Sequence, residues 1–128
     1  MNTLQLQWTM PDIREEIPEI ARQTWELGLT RRRMIQAVHE ARLEPLDDET
    51  WDHMENTHSN DLGLTWHEIK RWEGKDWRGI VRAIREGGTL PAPMVVIHEG
   101  RPYCMAGNTR LSVSRMLGVR PEVLMVRV

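Results

Sequence analysis

Apolar positions recur at helical spacing through the first two-thirds of the chain and crowd together in short runs in the last third. Ile20, Ala21, Trp25 and Leu27 predict a helix that stops at Gly28, with Pro11 opening a short turn and Pro18 breaking the pattern or sitting at the helix start. Thr30 is placed as the N-cap of a second helix carrying Met34, Ile35, Val38 and Ala41 on one face, ended by Pro45. Asp47 or Asp48 caps a third helix with Trp51 and Met54. Thr65-Trp66-His67-Glu68 matches a capping box, and that short helix ends at Gly74. Asp76 then caps the clearest helix, in which Trp77, Ile80, Val81 and Ile84 share a face while Arg78, Arg82 and Arg85 point elsewhere, and Gly87-Gly88 ends it.

Beyond Pro91 the period changes. Met94-Val95-Val96-Ile97 is a β-rich run too short for an independent helix. Glu99-Gly100 predicts a turn, and Arg101 to Met105 a returning strand. Asn108 to Leu117 reads as a helix with Leu111, Ser114 and Leu117 inward and Gly118 as its stop, and Val123 to Val128 as a final strand. That strand can join the hairpin through the helical crossover. The expected fold is α+β: a helical N-terminal region, residues 1–75, packed on a small mixed β-sheet formed by residues 76–128.

Charge sharpens this division. Met1 to Asp76 holds 9 Lys/Arg against 16 Asp/Glu, a net −7, whereas Trp77 to Val128 holds 8 Arg, no Lys and 3 Glu, a net +5. Arg offers a planar fork of donors suited to phosphate, so the second half is the candidate for anion binding. The single cysteine, Cys104, leaves no internal disulfide framework and fits a reducing cytoplasm. No apolar run approaches the ~20 residues needed to span a bilayer, and the N-terminal residues do not read as a signal peptide. A soluble cytoplasmic protein with no membrane partner is expected.

Gly107-Asn108-Thr109-Arg110 stands between a predicted strand and a predicted helix. A helix start leaves unpaired N–H groups and a partial positive charge, and glycine lets a phosphate approach the backbone. Arg110 is out of place there on stability grounds: a cation in the first turn opposes the helix dipole by ~0.3–1 kcal/mol. An anion bound at that end removes the conflict. The plainer reading is a tight turn and an Asn-capped helix, with Arg110 reaching a surface carboxylate.

The surroundings add to this. Pro91 to Val96, Arg101 to Leu111, Met116 to Pro121 and Val123 to Val126 resemble, over about residues 77–128, the ParB N-terminal domain and the sulfiredoxin-like superfamily. In that group a helix ending in Gly precedes a P-x-V strand, a G-x-x-R box opens the next helix, and a Leu-Gly pair precedes the last strand. All four features occur here in order. A first strand ahead of the helix at Trp77, usual in the family, is not evident in the sequence. The resemblance implies a nucleotide-binding unit that takes a nucleoside triphosphate, with or without Mg²⁺, at Gly107, Asn108, Thr109 and Arg110, and serves phosphotransfer, nucleotide hydrolysis or nucleotide-gated regulation. The box reads Gly-Asn-Thr-Arg where ParB proteins usually have Gly-Glu-Arg-Arg. Asn108 stands where sulfiredoxins carry their reactive cysteine, which argues against sulfinic acid reductase chemistry. Family experience also associates such a compact chain with phage or mobile-element accessory proteins, and leaves a homo-oligomer open.

Three further signals stand outside this resemblance. Gly28-Leu29-Thr30 between two helical patterns resembles a helix-turn-helix over residues 18–42. Arg31, Arg32, Arg33 and Gln36 would then contact DNA, giving the alternative of a DNA-binding regulatory accessory protein, against which stands the acidic neighbouring sequence. Glu68, Glu73 and Asp76 are the weak candidates for a catalytic carboxylate, if the fold brings them near Gly107. His53, His58 and His67 have no metal-binding spacing, and no metal site is assigned.

Overall fold

The computed structural model describes residues 6–53, 55–56 and 77–128. Five strands form a mixed sheet in the order β2-β7-β5-β6-β3: β2 is Arg42–Pro45, β3 Glu55–Asn56, β5 Met94–His98, β6 Arg101–Ala106 and β7 Glu122–Arg127. β5 and β6 form the antiparallel hairpin expected from the sequence, turning at Glu99 and Gly100, both at positive φ. β7 lies parallel to β5 on the other side, so the chain crosses over the hairpin between β6 and β7. β1, Gln7–Thr9, pairs in parallel with β4, Thr89–Pro91, as a separate two-stranded ribbon.

The alternation along the strands divides the core between two faces. Met94, Val96, Leu124 and Val126 face Met34 and Ala37 of α2 (Arg31–Glu40), with Ile20 of α1 (Ile17–Glu26) packed alongside. Val95, Cys104, Val123 and Met125 face the other way, toward Leu111 of α5 (Asn108–Met116), Leu46, and Trp51 of α3 (Asp48–His53). Behind α5, Val113 meets Ile80 of α4 (Trp77–Glu86) and Leu90 of β4. Helix α5 therefore lies between sheet and helix, which explains why Leu111, Ser112, Val113 and Ser114 are all buried.

In the described part of the N-terminal half, one segment departs from its helical pattern. α2 stops at Glu40, and Arg42–Pro45 is an edge strand, antiparallel to β7, rather than the end of the second helix. Its four residues carry almost no strand signal, because the hydrophobic partner β7 supplies the reason to pair. Pro45 is tolerated at the sheet edge. Two predicted inward residues also face out: Ile35 is 55% exposed and Trp25 83% exposed. Other signals hold. Pro18 lies in the first turn of α1. The Thr30 hydroxyl accepts from Arg33 N–H at 3.1 Å, and Asp47 Oδ1 accepts from Thr50 N–H at 2.7 Å. Among the described residues no helix is long and apolar enough to cross a membrane.

Candidate functional site

β6 leads directly into α5 through Gly107, the N-cap, which takes φ +90° and ψ +29°. That left-handed conformation suits glycine, and space excludes anything larger. A Cβ at Gly107 would lie 2.9 Å from both the Cα and the Cβ of Pro93 and 2.8 Å from Arg110 Nη2. So the turn is pressed against the start of β5 on one side, and the Arg110 guanidinium folds back over it on the other. Asn108, expected as a cap, is the first helical residue instead. The N–H groups of Asn108, Thr109 and Arg110 lie in the first turn, where no intrahelical carbonyl is available.

Arg110 is 16% exposed and points toward Glu16, whose side chain is 20% exposed, with Nη2 3.9 Å from Oε1. Glu16 is the N-cap of α1. The N-termini of α1 and α5 thus meet at one guanidinium, with the Glu16 carboxylate beside it. Neither partner is satisfied by the other. Burial raises the Glu16 pKa above the usual carboxylate value; Arg110 opposes this, while Glu19, Glu15 and Asp12 add to it. Burial likewise lowers the Arg110 pKa against the pull of Glu16, though the guanidinium stays protonated. Both shifts mean that desolvation outweighs the attraction across this long contact. Arg110 Nε and Asn108 Oδ1 are buried without a hydrogen-bond partner among the described residues. The Arg110 guanidinium and the open N–H groups of the α5 start can donate to an oxyanion, against the repulsion of Glu16.

Sequence reasoning brought Gly107 to Arg110 together but missed Glu16. No local signal marks it, because its relation to Arg110 arises only when α1 packs against β6. Glu68, Glu73 and Asp76, the sequence candidates for a catalytic carboxylate, lie outside the described residues, as do His58 and His67. Cys104 is fully buried, its Sγ 3.5 Å from the Ala106 carbonyl, and burial pushes its thiol pKa far up. It is a packed thiol, not a nucleophile. No group of three or more His, Cys, Asp or Glu is arranged to hold a metal ion among the described residues.

Two surface hollows lie elsewhere. One, about 610 Å³, opens beside Gly100 and Arg101, at the opposite end of β6 from Gly107. Its charged walls are already engaged: Arg127 donates to both Glu44 oxygens at 2.6 and 3.0 Å, and Asp47 caps α3. The other, about 590 Å³, runs along the outer face of α2 between Arg31, Arg32, Ile35, Gln36 and His39. The first hollow is the larger, but it is at the Gly107 turn that the open α5 N-terminus and the Arg110 guanidinium present donors together, which makes that turn the better site for an anion. Comparison with models of known protein families, with curated proteins and with solved structures finds no match.

Proposed function

We propose that this chain binds the phosphates of a nucleotide at Gly107–Arg110, on a fold of ParB/sulfiredoxin type, and serves phosphotransfer or nucleotide hydrolysis in the cytoplasm. The observation that carries the reading is the Gly107 turn itself, which brings the open N-terminus of α5 and the folded-back Arg110 guanidinium together beside the N-terminus of α1. Free backbone N–H groups and a guanidinium form charge-assisted hydrogen bonds with phosphate oxygens. The order of elements supports the fold assignment. β1 pairs with β4 immediately after α4, although α1, α2, β2, α3 and β3 separate it in the chain from α4, where the resemblance calls for a directly preceding strand.

The residues fit a phosphate group better than a metal ion. A divalent ion accompanying the nucleotide would take most of its ligands from phosphate oxygens, with Glu16 the nearest described carboxylate to Arg110. Phosphoryl transfer demands chiefly positioning and charge stabilisation, and Arg110 supplies a cation at the phosphate. The test is a thermal-shift screen of nucleoside triphosphates and inorganic phosphate, with and without Mg²⁺, followed by calorimetry on wild type and Arg110→Ala. A ligand of this site raises the melting temperature by mass action, and the variant loses that effect while remaining folded. No shift with any nucleotide, or equal affinity in both proteins, overturns the reading.

A further inference from the structure

The outer face of α2 has a composition that neither the core nor the phosphate site uses. Met34 and Ala37 are buried and Val38 half-buried, so about 160° of the helix circumference faces inward and about 200° faces solvent at 100° per residue. From the Arg31 edge of the solvent arc to past its middle lie, in order, Arg31, Ile35, His39, Arg32 and Gln36, the residues that line the second hollow. Arg33 and Glu40 lie toward one flank. Arg31, Arg32 and Arg33 are exposed, form no ion pair with a described residue, and occupy a first turn that contains no acid. Three cations against the dipole of one helix, each unfavourable by ~0.3–1 kcal/mol, leave the helix start short of negative charge.

The acidic character of the surrounding sequence does not extend onto this arc. Its only acid is Glu40, at the far end of the helix, where Glu40 Oε1 accepts from Gln36 Nε2 at 3.2 Å. α2 follows α1 through a short turn at Gly28, φ +67°, and the Thr30 cap fixes its first turn. We infer that the outer face of α2 binds duplex DNA, with Arg31 and Arg32 on backbone phosphates and Ile35, Gln36 and His39 facing the major groove.

The chemistry selects this partner. Exposed arginines at a helix start match a polyanion, and an α-helix, ~10–12 Å across with its side chains, fits a B-form major groove ~12 Å wide. The A-form major groove of duplex RNA is too deep and narrow to admit it. Gln36 can read an adenine edge, and Ile35 can pack on a thymine methyl. This surface is separate from Gly107–Arg110 and stands or falls independently of it.

The experiment is fluorescence anisotropy of the full chain with a labelled mixed-sequence DNA duplex, repeated at several salt concentrations. Wild type, Arg31→Ala/Arg32→Ala and Arg110→Ala are compared, with an RNA duplex as competitor. Wild type binds the DNA duplex, and the double variant has a log K against log salt slope shallower by ~1.8. Between 50 and 200 mM salt, wild type therefore loses ~10-fold more affinity than the double variant. Arg110→Ala retains wild-type duplex binding. Absence of binding at low salt, equal slopes, equal preference for RNA duplex, or loss of binding in Arg110→Ala each overturns the assignment.

Discussion

Helices α2 and α5 both carry arginine in their first turn, and the structure handles these two in opposite ways. At α5 the glycine N-cap is pressed against Pro93, and Arg110 is 16% exposed, folded back over the turn toward Glu16. At α2 a threonine caps an open turn, and Arg31, Arg32 and Arg33 all stand in solvent. The first arrangement costs conformational freedom and desolvation, and yields fixed donors at one point. The second costs little and yields charge spread along a surface. A small oxyanion needs the former, and a long polyanion is served by the latter.

The sharpest way to break the comparison is Gly107→Ala. The substitution meets both a positive φ and atoms of Pro93 at 2.9 Å, so backbone strain and a clash against main chain act together. A loss of about 3 kcal/mol in denaturant unfolding is expected. Gly28→Ala, whose added Cβ meets nothing within 4 Å, bears only the cost of positive φ and loses about 1 kcal/mol. Equal losses would mean that the α5 turn is no more constrained than the α2 turn.

Arg110→Ala comes next. Removing one charge-assisted partner weakens a bound phosphate by about 1.5–3 kcal/mol, or roughly 10- to 100-fold in calorimetric affinity. Because Arg110 and Glu16 do not satisfy one another, fold stability changes far less than phosphate affinity does. A large drop in melting temperature without ligand would make Arg110 a structural residue.

How much of this was legible in the sequence follows from where the information lies. The α5 turn was readable because its parts are neighbours in the chain: a β-rich run, Gly107, a helical pattern and Gly118. Helix α4 was readable from its strict apolar period. Edge strand β2 was not, because Arg42-Leu43-Glu44-Pro45 has no strand pattern and becomes a strand only beside β7. The outward placement of Trp25 and Ile35 was not readable either. Apolar residues were assigned inward, while the position of the sheet decides which part of each helix is covered. Glu16 lay beyond reach for the same reason, since only tertiary packing brings it to Arg110.

Glu16→Gln tests whether that carboxylate competes with a bound anion. Removing a negative charge a few ångströms from the phosphate position improves binding by about 1 kcal/mol, roughly fivefold. The pH dependence has a definite sign. The folded-state pKa of Glu16 is raised, so the folded protein holds this proton more tightly than the unfolded chain. Its stabilising contribution is complete below the ordinary carboxylate pKa and is lost as pH rises through the raised value. Glu16→Gln should therefore match wild type in acid and exceed it in stability at neutral pH, as read by denaturant unfolding at both. A variant less stable at neutral pH would show that the carboxylate is needed to hold Arg110 in place.

The smallest expected effect decides whether the two arginine sites are independent. Arg31, Arg32 and Arg33 changed together to alanine should leave nucleotide affinity at Gly107–Arg110 unchanged. All three side chains are exposed and form no ion pair with a described residue, and the only described ionic partner of Arg110 is Glu16. Charges in solvent separated by more than the ~10 Å screening length at 0.1 M salt interact weakly. The triple variant should also keep the fold, because the α2 residues in the core are Met34 and Ala37, and the Thr30 hydroxyl accepts from the backbone N–H of residue 33 whatever its side chain. Titration with a fluorescent nucleotide at 0.1 M salt should give superimposable curves for the two proteins. Weaker nucleotide binding in the triple variant would join the two surfaces into one extended anion site, and would mean that the base or sugar of the ligand reaches across α1 toward α2.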